Sequence, residues 1–302
     1  MISVCIPIYN FDVSTLLTTL SKQVEKYNGE IVAIDDASTI HTLKHENKKT
    51  AQKLKNVKYI EINKNAGRSK IRNLFLKYTK YQYLLFLDCD SIITSHTFIK
   101  KYVETIRQEH PEVVYGGRVY GNKPSSRKNI LRWKHGTSSE TKPAHIRKLT
   151  PIESFDTNNF LIRRDILEKI KFNEALHKYG HESTLFAHDL KRYGIKVLHI
   201  GNPVANGELE ENRDFVKKTE QAIENLIYII KHIELSEEFA EETPIVQKYK
   251  NAIEHKSLWW YKILFLLLKY FLKLSLYTGY APLSFFEFYK FGYFITHYDK
   301  IK

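Results

Sequence analysis

The sequence lacks several features that define common protein classes. Only two cysteines, Cys5 and Cys89, occur in 302 residues, so neither a disulfide framework nor a cysteine zinc site can be built, and a reducing compartment is expected. There is no His-Glu-x-x-His zinc motif and no internal repeat. The first residues show no basic region followed by a long apolar stretch, so no secretory signal is expected. We therefore expect a cytoplasmic protein or one on the cytosolic side of a membrane.

The composition describes a folded and basic chain. With 43% hydrophobic and 27% charged residues, it can bury a core, which excludes a disordered or fibrous protein. Lysine and arginine number 47 against 34 aspartates and glutamates, a net charge of +13 that favours anionic partners. The basic residues are spread widely, without a zinc-finger or RNA-binding signature, so nucleic acid is not an expected partner.

Short β-rich runs alternate with amphipathic helices in the first half. Strands are predicted at residues 2–8, 30–34, 57–62 and 83–87, each of the first three followed by a helix. This order predicts an α/β fold with a mostly parallel central sheet. Ligands of such sheets bind at the carboxyl ends of the strands, where Tyr9, Asp36 and Asp88 fall. Further on, strands are predicted at 158–162 and 196–200, and helices at 165–170, 183–193 and 210–233.

Two segments depart from this order. Residues 116–151 are rich in glycine, proline, serine and basic residues around Trp133, which indicates a long functional excursion or lid. Residues 256–302 carry seven lysines, two acidic residues and many aromatics. A spanning helix needs about 20 mainly apolar residues. Lys262, Lys269 and Lys273 interrupt the longest candidate and form one basic stripe within about 40° on a helix.

That stripe suits a helix lying on an anionic membrane surface, with the aromatic rings below the lysines. The alternative is a helix packed on the preceding domain with its lysines in water. We predict one domain over residues 1–233 and a C-terminal helical, basic and aromatic segment over 234–302.

Two acidic motifs end predicted strands. Asp88 and Asp90 lie two apart in an extended chain, so both carboxylates can point the same way and hold Mg²⁺ or Mn²⁺ with a diphosphate. The alternative for such a motif is a solvated turn, but its place after a buried strand favours the ligand. Asp35-Asp36 is either a turn before a helix or a carboxylate that accepts the imide N–H of uracil.

A basic motif opens the third helix. The run from Asn65 to Arg72 combines Gly67, a helix N-terminus, and Arg68 and Arg72 four residues apart on one face. Free N–H groups and the helix dipole attract phosphate, and arginine forks fit phosphate oxygens. The alternative is an ordinary basic start of a helix.

Taken in order, these motifs resemble a family 2 inverting glycosyltransferase of the bacterial surface-glycan type. The matching stretches are residues 3–10, 35–38, 65–73 and 87–90, extended by Tyr179 to Phe186 and by Asn202-Pro203-Val204. The resemblance implies a GT-A fold, a nucleoside-diphosphate sugar donor, UDP first among the nucleotides, and Mn²⁺ or Mg²⁺. It assigns nucleotide and donor binding to Pro7, Tyr9, Asp35, Asp36, Asn65, Gly67, Arg68, Arg72 and Asp88, and the metal to Asp90 with Asp88.

Two positions depart from the family pattern. Glu182-Ser183 stands where the family usually has Glu-Asp, whose aspartate is the usual base. Ser183 can cap a helix but cannot serve as a carboxylate base, so Glu182 is the expected substitute in the catalytic pair Glu182 and Ser183. Asn206 stands where relatives often have a histidine, and its amide oxygen offers the metal a weaker ligand. These departures leave open a catalytically weakened paralogue that binds nucleotide or glycan as a partner subunit.

The resemblance also implies the reaction and its acceptor. A metal and basic side chains stabilise the leaving diphosphate, while a carboxylate takes the proton of the acceptor hydroxyl and the anomeric centre inverts. Trp133, Asn159 and His181 are candidates for contacts with the sugar or the acceptor, although Trp133 could be a structural anchor and Asn159 part of a plain turn. The expected acceptor is a glycan or a lipid-linked oligosaccharide on the inner face of the cell membrane.

Overall fold

The structure is a computed structural model that describes residues 2–176, 179–207, 209–233, 239–240 and 243–300. Its strands are β1 (Ile2–Ile8), β2 (Glu30–Asp35), β3 (Val57–Glu61), β4 (Tyr83–Leu87), β5 (Ser91–Ile92), β6 (Val113–Tyr115), β7 (Arg118–Val119), β8 (Asn159–Arg163), β9 (Val197–His199) and β10 (Val204–Asn206). Its α-helices are α1 (Ser14–Val24), α2 (His41–Gln52), α3 (Arg68–Tyr78), α4 (Phe98–Glu109), α5 (Ile130–His135), α6 (Ala144–Arg147), α7 (Arg164–Lys169), α8 (Glu182–Arg192), α9 (Asn212–His232), α10 (Pro244–Glu254), α11 (Leu258–Thr278) and α12 (Leu283–His297).

A seven-stranded sheet forms the centre of the first part of the chain. Its strand order is β3-β2-β1-β4-β8-β6-β9. All neighbouring pairs are parallel except those of β8, which runs antiparallel to both β4 and β6. The predicted α/β class and mostly parallel sheet are confirmed. Three short strands form a second sheet in the order β5-β10-β7, and β5 is the strand that follows β4 in the chain.

The central strands are apolar because helices cover both faces of the sheet. In β1, Ile2, Val4, Ile6 and Ile8 point into one core with residues of α1 and α4, while Cys5 points into the opposite core. Side chains of a strand alternate between faces, so a strand buried on both sides becomes a continuous apolar run. The polar residues that follow these runs are therefore pushed to the carboxyl edge of the sheet.

Several elements add to the predicted set. Helix α4 and the strands β5, β6, β7 and β10 were not predicted, and each of these strands has only two or three residues. So short a strand does not carry enough residues for an alternating pattern to stand out. The segment predicted as a loose excursion contains β7, α5, α6 and short 3₁₀ and π turns.

The chain divides into two compact units. The first comprises Met1–Gly121, Ser139–His177 and Glu182–Glu208, and contains both sheets. The second comprises Asn122–Ser138, Lys178–His181 and Leu209–Lys302. In this grouping α9 goes with the C-terminal helices, and the domain boundary placed after residue 233 stays a prediction.

The second unit has its own apolar core. Leu131, Val216, Phe265, Leu272 and Leu276 pack there, from α5, α9 and α11. Of the three lysines in the predicted stripe, Lys273 does not belong to a free basic face, because its Nζ lies 2.7 Å from Glu220 Oε1. Among the helices that the structure describes, none has both the length and the apolar character needed to cross a bilayer.

Candidate active site

The turns that follow β1 and β2 are tied together. The side-chain oxygen of Asn10 accepts hydrogen bonds from the backbone N–H groups of Thr39 (2.8 Å) and Ile40 (3.1 Å), and Asn10 N–H donates to Ser38 Oγ (2.8 Å). Tyr9 is next to Asn10 in the chain, and its side chain is 49% exposed and available to a ligand. Pro7 precedes it in β1 and is partly buried.

Asp35 stabilises the turn that follows β2. It is fully buried, and its carboxylate accepts hydrogen bonds from Ser38 N–H (2.7 Å) and from the Tyr59 hydroxyl (2.9 Å). A side chain so enclosed does not reach a bound nucleotide, so the prediction that Asp35 contacts the donor is wrong. Its position is explained by the turn that it holds, which presents Asp36.

Asp36 organises the loop before α3. Its two carboxylate oxygens accept hydrogen bonds from Ala66 N–H (2.6 Å) and Gly67 N–H (3.1 Å), and Asn65 Nδ2 donates to its carbonyl (3.0 Å). Burial raises the pKa of Asp36 despite these bonds. Gly67 has a φ of 79°, a left-handed conformation that favours glycine. Each oxygen keeps one further lone pair, so a ligand N–H can still bind there.

Asp88 lies between two arginines. Arg72 Nη2 is 3.3 Å from Asp88 Oδ1, and Arg118 Nη2 is 3.2 Å from Asp88 Oδ2. Both arginine side chains are largely buried, with 3% and 12% exposed. Arg118 also pairs with Glu140 Oε2 at 3.2 Å. Because both Asp88 oxygens are engaged by cations, Asp88 is poorly placed to serve as the predicted metal ligand.

Asp90 is electrostatically different from Asp88. Burial and the Asp88 charge raise the pKa of Asp90, while Arg118 and Arg68 act in the opposite direction. Within the described residues no cation forms an ion pair with Asp90. Strand β10 lies alongside, since Asn206 pairs with Ser91 and Gly207 N–H donates to the Asp90 carbonyl (2.9 Å). The structure thus brings Asn206 beside the Asp90 segment, as the metal prediction requires.

Asp90 is a carboxylate whose ionised form burial disfavours and which forms no ion pair with a described residue, so it fits a divalent ion. However, no group of three or more histidine, cysteine, aspartate or glutamate side chains suited to a metal occurs in the part of the chain that the structure describes. An ion at Asp90 would therefore need oxygen ligands from a bound molecule, as Mg²⁺ commonly takes them from phosphates.

Glu182 is held by the basic helix. Arg68 Nη1 lies 2.8 Å from Glu182 Oε1 and Arg72 Nη1 lies 3.9 Å from the same atom. Burial opposes the ionisation of Glu182, but the two arginine charges outweigh it, and the pKa is lowered. Glu182 is thus a carboxylate at neutral pH.

Ser183 is not the helix cap that its type suggested. Helix α8 begins one residue earlier, at Glu182, and Ser183 Oγ instead forms a hydrogen bond of 2.7 Å with Thr157 Oγ1. The hydroxyl therefore links the start of α8 to the residues before β8.

Unsatisfied buried polar atoms concentrate around these residues. Four of the six such atoms identified, Ser69 Oγ, Arg72 Nε, Asn158 Nδ2 and Glu182 Oε2, are buried without a hydrogen-bond partner among the described residues. Folded proteins pair almost all such atoms, so an unpaired group calls for a ligand or water. Two of the four belong to the Arg72–Glu182 pair.

Asn159 is a structural residue rather than a sugar contact. It is fully buried, accepts from the Tyr102 hydroxyl (2.7 Å), and donates to the carbonyls of Gly117 and Asn202 (2.9 Å each). Its polar atoms are spent inside the core, so the prediction that it contacts the sugar or acceptor is wrong. Trp133 and His181 belong to the second unit, and their proposed roles stay predictions.

Some charged residues of the site were not predicted. Arg118 bridges Asp88 and Glu140, and Asp156 lies close enough to Arg118 for the arginine charge to oppose the rise that burial causes in the pKa of Asp156. Arg118 comes shortly after β6, following Gly116 and Gly117. A charged residue just after an apolar strand could have indicated that Arg118 belongs to the site. Glu140 ends a single π-helical turn and Asp156 lies in an irregular segment, and neither is long enough for a periodic pattern to mark the residue.

The mostly parallel sheet, with carboxylates and arginines gathered at its strand ends, has the architecture expected of the GT-A fold. Residues 3–171, more than half of the chain, match the model of the family "Glycosyl transferase family 2". The chain belongs to that family.

Individual relatives share part of the chain. Poly(ribitol-phosphate) beta-N-acetylglucosaminyltransferase TarS of Staphylococcus aureus is 34% identical over 115 residues, which are 37% of this chain and 20% of the relative. The matched region thus spans about a fifth of that protein. A TarS 1–349 structure in complex with UDP-GlcNAc has a TM-score of 0.54 and 21% identity, covering 99% of this chain and 90% of that one.

An archaeal structure shares the same fold. Mannosyltransferase PcManGT from Pyrobaculum calidifontis, in complex with GDP-Man and Mn²⁺, has a TM-score of 0.57 at 13% identity, covering 99% of this chain and 86% of that one. These two structures establish a common fold.

Proposed function

We propose that this glycosyltransferase moves a sugar from a UDP-sugar to a hydroxyl group of a glycan or lipid-linked acceptor, with inversion and with Mn²⁺ or Mg²⁺. The difference between Asp88 and Asp90 carries the proposal: two arginines form ion pairs with the first, and no cation among the described residues forms an ion pair with the second. The TarS structure was determined with UDP-GlcNAc and the archaeal one with Mn²⁺, which supports a nucleotide-sugar donor and a divalent ion.

The strand-end turns supply the nucleoside site in this proposal. Tyr9 offers an exposed ring against which a base can stack, and Asp36 keeps lone pairs for a base N–H. Asn65 and Gly67 shape the loop that closes this site. Uracil, whose imide is a donor, matches this acceptor better than a base that presents an acceptor there.

Basic side chains receive the diphosphate. A divalent ion on Asp90, with Asn206 nearby, would neutralise charge on the leaving diphosphate. Arg72 and Arg118 are fixed by Asp88 and are therefore pre-oriented, which avoids reorganisation when negative charge develops. The unpaired Arg72 Nε supplies one N–H that no group of the described chain accepts.

Glu182 is the proposed base. It is ionised at neutral pH, and its Oε2 atom is buried without a hydrogen-bond partner in the part of the chain that the structure describes. Glu182 Oε2 can accept the proton of an acceptor hydroxyl. The hydroxyl oxygen of the acceptor then attacks the anomeric carbon from the face opposite the diphosphate. Arg68 and Arg72 hold the other oxygen and fix the carboxylate orientation.

A secondary-alcohol or primary-alcohol acceptor on a surface polymer fits this chemistry. The curated relative is named for transfer to poly(ribitol-phosphate), a polyol phosphate polymer, and we propose an acceptor of this general kind at the cytoplasmic face of the cell membrane. Trp133 and His181 are the proposed acceptor contacts.

The decisive experiment is a donor panel. The full chain is incubated with UDP-, GDP- and dTDP-sugars, with Mn²⁺ or with EDTA, and release of the nucleoside diphosphate is measured. We expect release from a UDP-sugar only with metal, and a loss of at least about a hundredfold in Asp90→Asn. Asp189→Asn is the matched control, since burial also raises the pKa of Asp189. Turnover in EDTA, or an active Asp90→Asn variant, contradicts the proposal.

One observation favours a second candidate, a nucleotide-binding subunit without turnover. Ser183 stands where a carboxylate is usual, and its hydroxyl is bound to Thr157. The two candidates separate in Ser183→Asp. If the parent binds UDP without turnover and Ser183→Asp then transfers sugar, the protein is a weakened paralogue. If the parent already turns over, the first proposal holds.

A further inference from the structure

Helix α11 has one face that packs and one that does not. Phe265, Leu272 and Leu276 are buried in the core of the second unit. The opposite side is apolar but exposed, and we call it the Leu267 face. Its members are Trp259 (53% exposed), Trp260 (61%), Ile263 (42%), Leu264 (47%), Leu266 (48%), Leu267 (74%), Leu268 (37%), Tyr270 (76%), Phe271 (61%) and Leu274 (64%).

The arrangement follows from helical geometry. At about 100° per residue, the buried residues cluster within about 40°, and the Leu267 face covers about 200° on the other side. Soluble proteins rarely expose a contiguous apolar surface of this extent unless it is an interaction site. The exposure is therefore a feature that needs a partner.

Charge around the face is of one sign. Residues 255–286 contain four lysines and no aspartate or glutamate. Lys262 and Lys269 lie on the border between the buried side and the Leu267 face, whereas Lys273 is paired with Glu220. A basic border beside an apolar face is the pattern of helices that lie in an anionic membrane interface.

Aromatic residues occupy the positions where an interface has mixed polarity. Trp259 and Trp260 stack at the start of the helix, with ring centroids 4.0 Å apart, and Tyr270 and Tyr280 are both strongly exposed. Tryptophan and tyrosine concentrate at the boundary between acyl chains and water, because they present an apolar body and a polar tip.

We propose that the Leu267 face is a membrane-docking surface, with α11 lying in the plane of an anionic lipid interface. Leucine and phenylalanine side chains enter the acyl region, and Lys262 and Lys269 contact lipid phosphates. A second copy of the chain is the weaker occupant, because face-to-face packing would bring like-charged lysine borders together. The proposal concerns binding alone and does not depend on the transfer reaction.

Vesicle binding without donor or metal tests the proposal. The full chain is mixed with vesicles of phosphatidylcholine, or of phosphatidylcholine with phosphatidylglycerol, and the bound fraction is measured by flotation. We expect binding to the anionic vesicles, weakened about tenfold or more by Leu267→Glu. Leu149→Glu is the matched control, because Leu149 is a leucine in the first unit with 76% exposure, and binding should not change.

Further readouts separate the contributions. Tryptophan emission should shift to shorter wavelength when anionic vesicles are added, and the double variant Trp259→Ala, Trp260→Ala should lose most of that shift. Lys262→Gln with Lys269→Gln should reduce the preference for phosphatidylglycerol while leaving part of the binding.

The proposal is overturned if the parent chain does not bind anionic vesicles, or if Leu267→Glu binds as well as the parent. It is also overturned if the parent forms a lipid-independent dimer that Leu267→Glu dissociates, since the face is then occupied by a second copy. Because Leu267 is exposed, the variant should keep the circular dichroism spectrum of the parent.

Discussion

Asp88 and Asp90 belong to one short motif, yet their surroundings give them different chemistry. Asp88 is clamped by Arg72 and Arg118, which come from positions 16 residues before it and 30 residues after it. Asp90 has no such partner in the described residues, and burial raises its pKa. Two acidic residues two apart are equivalent on paper and become distinct only through long-range contacts.

Arg118→Gln should expose how much the clamp contributes. The glutamine keeps hydrogen bonding but removes one charge from Asp88 and Glu140, so Asp88 loses its fixed orientation and the site loses a cation. We expect kcat/KM for the donor to fall by about ten- to a hundredfold. Arg163→Gln serves as the control, because Arg163 pairs with the largely exposed Asp165. Equal kinetics in both variants would speak against a role for the clamp.

Glu182→Gln tests the base. The change replaces the Glu182 carboxylate with a neutral amide that cannot accept a proton. We expect kcat to fall by about a hundredfold or more, with donor affinity kept within a few-fold. The lowered pKa places the acid limb of the parent pH profile below the usual glutamate value of 4.5, since the base is active only when ionised. A variant with unchanged kcat would remove Glu182 from the mechanism.

At the scale of elements, Arg147 of α6 holds the ends of two strands. Its guanidinium donates to the carbonyls of Tyr115 (3.2 Å), Gly116 (3.0 Å) and Ile200 (2.9 Å), and to His199 Nδ1 (2.8 Å). His199 must therefore be neutral, with the proton on Nε2 donated to the Pro151 carbonyl (2.8 Å). These contacts fix the backbone that leads into Arg118.

This pairing predicts a pH-dependent stability. Burial, with the charges of Arg147 and Lys148, lowers the pKa of His199 from 6.5 to about 4. The unfolded state binds the proton first as pH falls, so stability is full above pH 6.5 and declines between 6.5 and about 4. The slope from this one group is at most about 1.4 kcal/mol per pH unit.

His199→Asn isolates that contribution. The asparagine oxygen can still accept from Arg147 but does not titrate, so the fall in the free energy of unfolding from pH 7 to pH 5 should be smaller than in the parent. Urea unfolding at several pH values measures it, with His45→Asn, at an exposed position of α2, as the control. An identical pH dependence in parent and His199→Asn would refute the assignment.

At the scale of the whole molecule, the cation site proposed at Asp90 predicts that an ion and a diphosphate bind together. With Asp90 as the main carboxylate and no three-residue metal cluster in the described parts of the chain, an ion should bind tightly only together with a diphosphate. Ligands that bind only the native state raise its stability, by about 2.7 kcal/mol at a hundredfold excess over Kd. Mn²⁺ with UDP should therefore raise the melting temperature more than the separate effects of Mn²⁺ and UDP combined.

Asp90→Asn should abolish the extra shift and leave the shift from UDP alone. Differential scanning fluorimetry of the full chain gives all four conditions in one experiment. A shift with Mn²⁺ alone that equals the shift of the pair would mean that the protein holds the ion by itself.

Much of the fold was accessible from local pattern. The strands β1 to β4 were predicted within one residue, and a helix was predicted between each pair of them, because apolar runs buried on both faces and amphipathic helices each impose a period. The antiparallel direction of β8 was not predicted, because the direction of a strand depends on the long irregular segments that connect it to its neighbours.

The candidate site divides in the same way. Tyr9, Asp36, Gly67, Arg72 and Asp90 were predicted because they follow apolar strands or open a helix, and their roles stay predictions. Asn159 and Asp35 were misjudged because polarity and position in the chain do not reveal burial. Arg118 was missed because its partner Asp88 is 30 residues away.

The amino-acid sequence alone determined the strands β1 to β4 with helices between them, the family, and the acidic and basic motifs at the strand ends, because these depend on residue type and on neighbours close along the chain. Only the tertiary structure decided which carboxylate is neutralised, which asparagine is spent in the core, and which side of α11 is left exposed. Those outcomes depend on contacts between distant residues, whose charges and volumes compete for the same space.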